Sequence, residues 1–241
     1  MAANSAEAPD LARLGGSLVI NMGSLQPESV AHYVKALRAY NAVGGPVLFD
    51  PVGAGATAAR REAVQTLLAS GYFDLIKGNE NEIATVAGTA GQKQQRGVDS
   101  SASTRSLRDK ARLVQALAKR LRNVVFMTGA TDVVSDGTRT YAISNGHELL
   151  GAFTGSGCSL GTTIAAVLAV HREDKLLAAV TAALMYEIAA ERAAKKPEVK
   201  GPGTFVPAFL DELYGIRKES GAGSIEWANA IKIEDVTATL E

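Results

Sequence analysis

Val47-Leu48-Phe49-Asp50-Pro51-Val52-Gly53-Ala54-Gly55-Ala56-Thr57 is the stretch from which the fold can be read. Its first residues are apolar without alternation and stop at a carboxylate. A strand with one wet face alternates, whereas a continuous apolar run is the habit of a strand buried on both faces, as in a parallel sheet under helices. Outward from it, residues 17–21 (SLVIN), 74–77 (DLIK) and 124–128 (VVFMT) repeat that habit. Helical patterns lie between and beside these runs, at 27–40, 58–68, 80–86 and 107–121, with Pro27 suited to a first helical turn. The alternation predicts a three-layer α/β/α domain with right-handed crossovers and a mostly parallel central sheet.

After Thr128 the rhythm changes. Residues 133–135, 138–143 and 147–150 read as short strands, separated by Asp136-Gly137 and Asn145-Gly146. Both dipeptides favour hairpin turns, which predicts an antiparallel meander at one edge of the sheet. Two alanine-rich helices follow at 157–170 and 175–195, read as packing elements, then a Gly201-Pro202-Gly203 break and a final helix. The polar stretch 91–106 reads as a loop or insertion. A weakly patterned tail closes the chain, giving a domain over 1–217 and a peripheral tail over 218–241.

Composition narrows the function. The chain has 241 residues, 46% of them apolar and 21% charged, which excludes disorder as its overall state. Lys+Arg and Asp+Glu both number 25, so no basic excess points to nucleic acid. The single cysteine, Cys158, excludes a disulfide framework, and no Cys/His cluster has zinc spacing. The apolar-rich stretch 160–170 is too short to span a bilayer and contains Gly161, Thr162 and Thr163. With no signal-peptide pattern at the amino terminus, a soluble, cytoplasmic protein is expected.

Four places carry candidate chemistry. Thr154-Gly155-Ser156-Gly157-Cys158 stands at a helix start, where small residues, free N–H groups and the positive dipole end favour an anion; a flexible loop with Ser156 as helix cap is the alternative. Cys158 at that position is favoured as thiolate, or is a small buried hydrophobe. Asp50 closes a strand at the edge where open α/β sheets bind ligands, or simply starts a turn before proline. Asn79 and Glu82 have capping-box spacing; alternatively Glu82 joins Asp50 as a second carboxylate suited to hydrated Mg²⁺. Thr128-Gly129 with Asp132 forms one more strand-end turn. His32, His147 and His171 share no ligand spacing and read as surface or core residues, and Arg60-Arg61 as a solvated pair.

In order along the chain, INMGSL (20–25), DPVGAGAT (50–57), KGNENEI (77–83), RGVDS (96–100), TGSGC (154–158) and KGPGTF (200–205), with the Asn145-Gly146-His147 turn, resemble the hydroxyethylthiazole kinase family over roughly residues 1–217. The likeness is greatest to the kinase half of fungal bifunctional thiamine enzymes, whose other half, a thiamine-phosphate synthase, has no counterpart in this sequence. The resemblance implies a ribokinase-like fold and ATP- and Mg²⁺-dependent phosphorylation of the primary alcohol of 4-methyl-5-(2-hydroxyethyl)thiazole, a salvage step in thiamine biosynthesis. It implies that Gly155, Ser156, Gly157 and Cys158 form the anion hole for the transferring phosphoryl group. Cys158 would occupy the place of the aspartate base usual in ribokinase-like enzymes. Asn79 and Glu82 match an N-x-x-E element associated with Mg²⁺ and phosphate, and Asp50 matches the acidic residue beside it. Lys77 and Thr128 match ATP-contacting positions, the former more often arginine in bacterial members. Met1 and Gly155 fall on positions that contact the thiazole, and related enzymes are trimers holding it at a subunit boundary. Because the family's Asn-rich opening segment and first strand precede the position of Met1, the chain is expected to lack them.

Overall fold

A computed structural model describes residues 5–89 and 105–237. Met1, the 96–100 motif and most of the polar stretch 91–106 lie outside the described residues. The elements run α1 (Ala8–Arg13), β1 (Leu18–Asn21), α2 (Ser29–Ala42), β2 (Val47–Asp50), α3 (Ala58–Ser70), β3 (Leu75–Asn79), α4 (Glu80–Ala87), α5 (Leu107–Leu121), β4 (Val124–Thr128), β5 (Asp132–Ser135), β6 (Thr140–Ile143), α6 (Ser156–Val170), α7 (Lys175–Ala194), α8 (Pro202–Gly221) and β7 (Ile233–Asp235). Single 3-10 turns occupy Glu148–Ala152 and Glu226–Ala230.

Among the described residues the strands form one seven-stranded sheet in sequential order. β1 to β4 are parallel; β5 then pairs antiparallel with β4, β6 with β5 and β7 with β6. Alternate residues of each central strand enter different cores. Leu48, Leu75 and Phe126 pack under α6, α7 and α8, while Phe49, Ile76 and Val125 pack under α2, α3 and α5. Both faces are therefore buried, the physical reason for the unbroken apolar runs.

Three expectations are corrected. Pro27 precedes α2 instead of opening it, because Gln26 and Ser29 close a turn before the helix, the Gln26 N–H donating to Ser29 Oγ. Residues 147–150 form no strand. The Asn145 amide donates to the Ala230 carbonyl and to Glu191 Oε1, its carbonyl oxygen accepts from the Lys232 N–H, and His147 Nδ1 accepts from Leu149 N–H, which winds the chain into the turn at Glu148–Ala152. The meander's third strand is β7, from the tail. Arg60 is no solvated residue: its guanidinium donates to the carbonyls of Met22, Val52 and Gly23, tying together the loops after β1 and β2.

The stretch 218–241, described as far as Thr237, ends α8, sets the edge strand β7 and buries Trp227, whose Nε1 donates to Ser220 Oγ. No helix among the described residues is long and apolar enough to cross a membrane.

Candidate active site

Asn21, Asp50, Asn79 and Thr128 are the last residues of β1, β2, β3 and β4. The parallel register aligns Asn21 with Asp50 and Asn79 with Thr128. The carboxyl edge of the sheet thus becomes a row of polar side chains, the place where open α/β sheets bind ligands. The start of α6 comes down onto this row.

Asp50 is 1% exposed, and its Oδ2 lies 3.3 Å from Lys77 Nζ, itself buried, while the Asn21 amide donates to the same oxygen at 3.0 Å. Burial pushes the Asp50 carboxyl above the ordinary carboxylate range against the pull of Lys77 and Asn21. Asp50 Oδ1 has no hydrogen-bond partner. Asn21 Nδ2 also stands 3.3 Å from Cys158 Sγ, so one amide links the buried ion pair to the exposed thiol.

Glu82 sits behind this group. Its Oε1 accepts from the Gly53 N–H and its Oε2 from the Asn79 N–H, both at 2.8 Å, and the Asn79 side chain accepts in return from the Glu82 N–H. The capping box is present, and it also reaches across to the loop after β2. Burial raises the Glu82 pKa and the two backbone donors oppose that rise. Glu82→Gln keeps an acceptor for only one of those donors and turns an amide N–H toward the other. The expected cost is about 1–3 kcal/mol of stability, read as a lowered melting temperature. Mg²⁺ titration of activity then separates the roles: an unchanged requirement makes Glu82 a strut for the loop, and a raised one adds a charge role.

α6 differs from α3, α4, α5 and α7 at its start. Thr57, Asn79, Ser106 and Asp174 cap α3, α4, α5 and α7 through side-chain oxygens. The N-cap of α6 is Gly155, at φ 102°, with no side-chain cap, so Ser156 is the first helical residue and not the cap. The first-turn N–H groups, without intrahelical partners, are left available. A Cβ added at Gly157 would lie 3.3 Å from Lys77 Nζ, which places the ammonium against this turn. The turn is braced from α7: the Tyr186 hydroxyl donates to the Ser156 carbonyl at 2.8 Å and stands 2.7 Å from Ser159 Oγ, which donates to the Gly155 carbonyl. Burial pushes the Tyr186 phenol up to about 12, so it stays a donor.

A cavity of about 640 Å³ opens beside this turn, and Asn79, Thr128, Ser156 and Gly157 line it. Asp50, Lys77 and Glu82 lie behind its wall, and Gly155 and Cys158 are exposed at the helix start. The sequence reading did not single out Asn21, Tyr186 or Glu187. Asn21 could have been found, as it ends a buried parallel strand as Asp50 does. His147, expected in the surface or core, lines the cavity.

The layered sheet is that of the ribokinase-like fold. The structure of a ribokinase-like superfamily protein from Enterococcus faecalis V583 agrees at TM-score 0.58 and 14% identity over 86% of this chain and 66% of that one, a likeness of fold alone. This chain belongs to the hydroxyethylthiazole kinase family, whose sequence profile matches residues 1–219. It is 44% identical over 234 residues to a probable thiamine biosynthetic bifunctional enzyme of Schizosaccharomyces pombe, covering 95% of this chain but 44% of that protein. The chain therefore spans less than half the length of that relative. The structure of hydroxyethylthiazole kinase from Pyrococcus horikoshii OT3 agrees at TM-score 0.82 and 34% identity, over 98% of this chain and 83% of the other.

Proposed function

We propose that the chain transfers the terminal phosphoryl group of ATP to the primary alcohol of hydroxyethylthiazole. The observation that carries this reading is the uncapped start of α6, set between a cavity of about 640 Å³ and the Asn21–Asp50–Lys77–Cys158 group, in a chain of this family. Phosphoryl transfer passes through a loose transition state, so positioning and charge stabilisation dominate. The N–H groups of Ser156, Gly157 and Cys158 hold the equatorial oxygens, and Lys77 adds positive charge beside them. Asn79 and Thr128 orient the nucleotide from the cavity wall. Cys158 stands on the exposed side, held by Asn21, where the alcohol presents its proton; late proton loss makes a thiol adequate there.

The residues fit a hydrated Mg²⁺ carried mainly by phosphate oxygens. Asp50 offers the unpartnered Oδ1, whereas both Glu82 oxygens already accept backbone N–H groups. When bound, the ion neutralises charge on the transferring group. The proposal includes a cytoplasmic location, where ATP is supplied, and a homo-oligomer holding the thiazole at a subunit boundary.

ATP consumption by the purified chain with Mg²⁺, with and without hydroxyethylthiazole, tests the reading. Thiazole-dependent turnover is expected, with specific activity rising with protein concentration as the oligomer forms. ATP consumption indifferent to the thiazole overturns it.

A further inference from the structure

Glu187 is one of two acids in the alanine-rich helix α7, the other being Glu191 one turn on. Glu187 is 4% exposed, lines the cavity, and neither of its carboxyl oxygens accepts a hydrogen bond. Its Cγ would lie 3.7 Å from a Cβ added at Gly146, so it sits under the Asn145-Gly146-His147 turn. Opposite it stands Asp132, the first residue of β5, also buried, whose Oδ1 accepts from the Gly129 N–H at 2.8 Å. A fully ionised pair so placed is untenable, since a buried charge needs a partner. Burial, then Asp132, then Glu191 hold the Glu187 proton on, and the protonated Glu187 donates to Asp132. The pair then shares one proton and carries one negative charge. What remains is a Glu187 carbonyl oxygen with no donor to fill it.

We propose that Asp132 and Glu187 form a hydrogen-bond-accepting subsite for the nucleoside part of the nucleotide, taking its ribose hydroxyls or its base amine. The inference rests on the kinase reading and adds to it the group that tells a nucleotide from a bare polyphosphate. A negatively charged pair cannot be the phosphate subsite, and the start of α6 already supplies one. Phosphate oxygens are acceptors and leave the Glu187 oxygen unfilled. A nucleoside brings donors, and Leu150 and Leu160 in the same cavity give its rings apolar cover.

Calorimetric titration of the full chain with ATP and with inorganic tripolyphosphate, both with Mg²⁺ and without thiazole, is the test. The wild type should prefer ATP by about tenfold or more, the scale of a hydrogen bond to a charged acceptor. Glu187→Ala should abolish that preference by weakening ATP and leaving tripolyphosphate unchanged. Glu187→Gln, whose amide donates to Asp132 and whose carbonyl replaces the free acceptor, should restore most of it. Titration of the wild type with 2′-deoxy-ATP and with inosine triphosphate identifies the donor: weaker binding of the first assigns the ribose, of the second the base amine. Equal binding of both overturns the subsite even if Glu187→Ala does not fold. An intact preference in Glu187→Ala overturns it too, as does a preference that follows replacement of K⁺ by tetramethylammonium, which would mark a cation site. Thiazole-dependent turnover alongside either result leaves the kinase standing and removes the subsite alone; a wild type that binds neither ligand removes both.

Discussion

Lys77→Met should destabilise the fold by about 3–5 kcal/mol, the usual cost of removing one partner from a buried ion pair. Lys77 and Asp50 side chains are 5% and 1% exposed, and Asp50 Oδ1 is already unpartnered. Methionine conserves the length of the side chain, so the loss measures charge and not a cavity. Asp50 would be left to the single Asn21 amide. Adding Asp50→Asn should therefore recover most of the lost stability, because the stranded charge is gone. Turnover should stay lost in the double variant, since neither the cation beside the α6 turn nor the carboxylate beside Asn21 is present. Urea denaturation of the two single variants and the double variant gives the coupling directly. A double variant no more stable than Lys77→Met would mean that Lys77 acts through packing alone.

Gly155→Val should lower kcat by about 10²–10³, the scale for losing a preorganised oxyanion donor. Nothing lies within 4 Å of a Cβ built there, so the obstacle is not space. It is φ 102°, where an L side chain is strained by about 1–3 kcal/mol. The chain relieves that strain by rotating the peptide that opens α6, and the first-turn N–H groups turn away from the phosphate. Cys158→Ala removes a thiol that touches Asn21 and leaves the helix start unchanged. Its loss of kcat should be the smaller, because a loose transition state asks little of a base. Both variants need a melting curve beside the rate. A folded Cys158→Ala that is slower than a folded Gly155→Val would show that proton removal, and not charge stabilisation, limits this reaction.

The parallel half of the fold was legible because burial on both faces leaves a mark on composition: Leu48 and Phe49 serve different cores, and neither position tolerates a polar residue. β7 left no such mark, since all three of its residues are exposed and its place is set by backbone pairing with β6. The segment after Asn145 misled for a related reason. Asn-Gly favours a tight turn, but the Asn145 amide is drawn to Ala230 and Lys232, 85 and 87 residues later, and no local rule contains that contact. In the site, Asp50, Asn79 and Thr128 showed themselves as polar residues ending apolar strands. Glu82 could be read two ways from its spacing, and its side chain divides accordingly: Oε2 completes the capping box with Asn79 and Oε1 accepts from Gly53. Glu187 was hidden by its own helix: the alanines around it do pack, and only the arrival of Asp132 from another strand sets it apart.

The bracing of α6 has a mechanical consequence. A helix that leaves its leading end bare must have its orientation fixed from elsewhere, and here the Tyr186 hydroxyl does so from α7. The Tyr186 ring in turn rests edge-on against Phe209 of α8, with centroids 4.8 Å apart. On the kinase reading, the grip on phosphate is thus set from α7 and α8, in the apolar interior. Substitutions that loosen α8 should therefore slacken that grip through one of the sheet's two cores, the one to which Phe205, Phe209 and Ile216 belong.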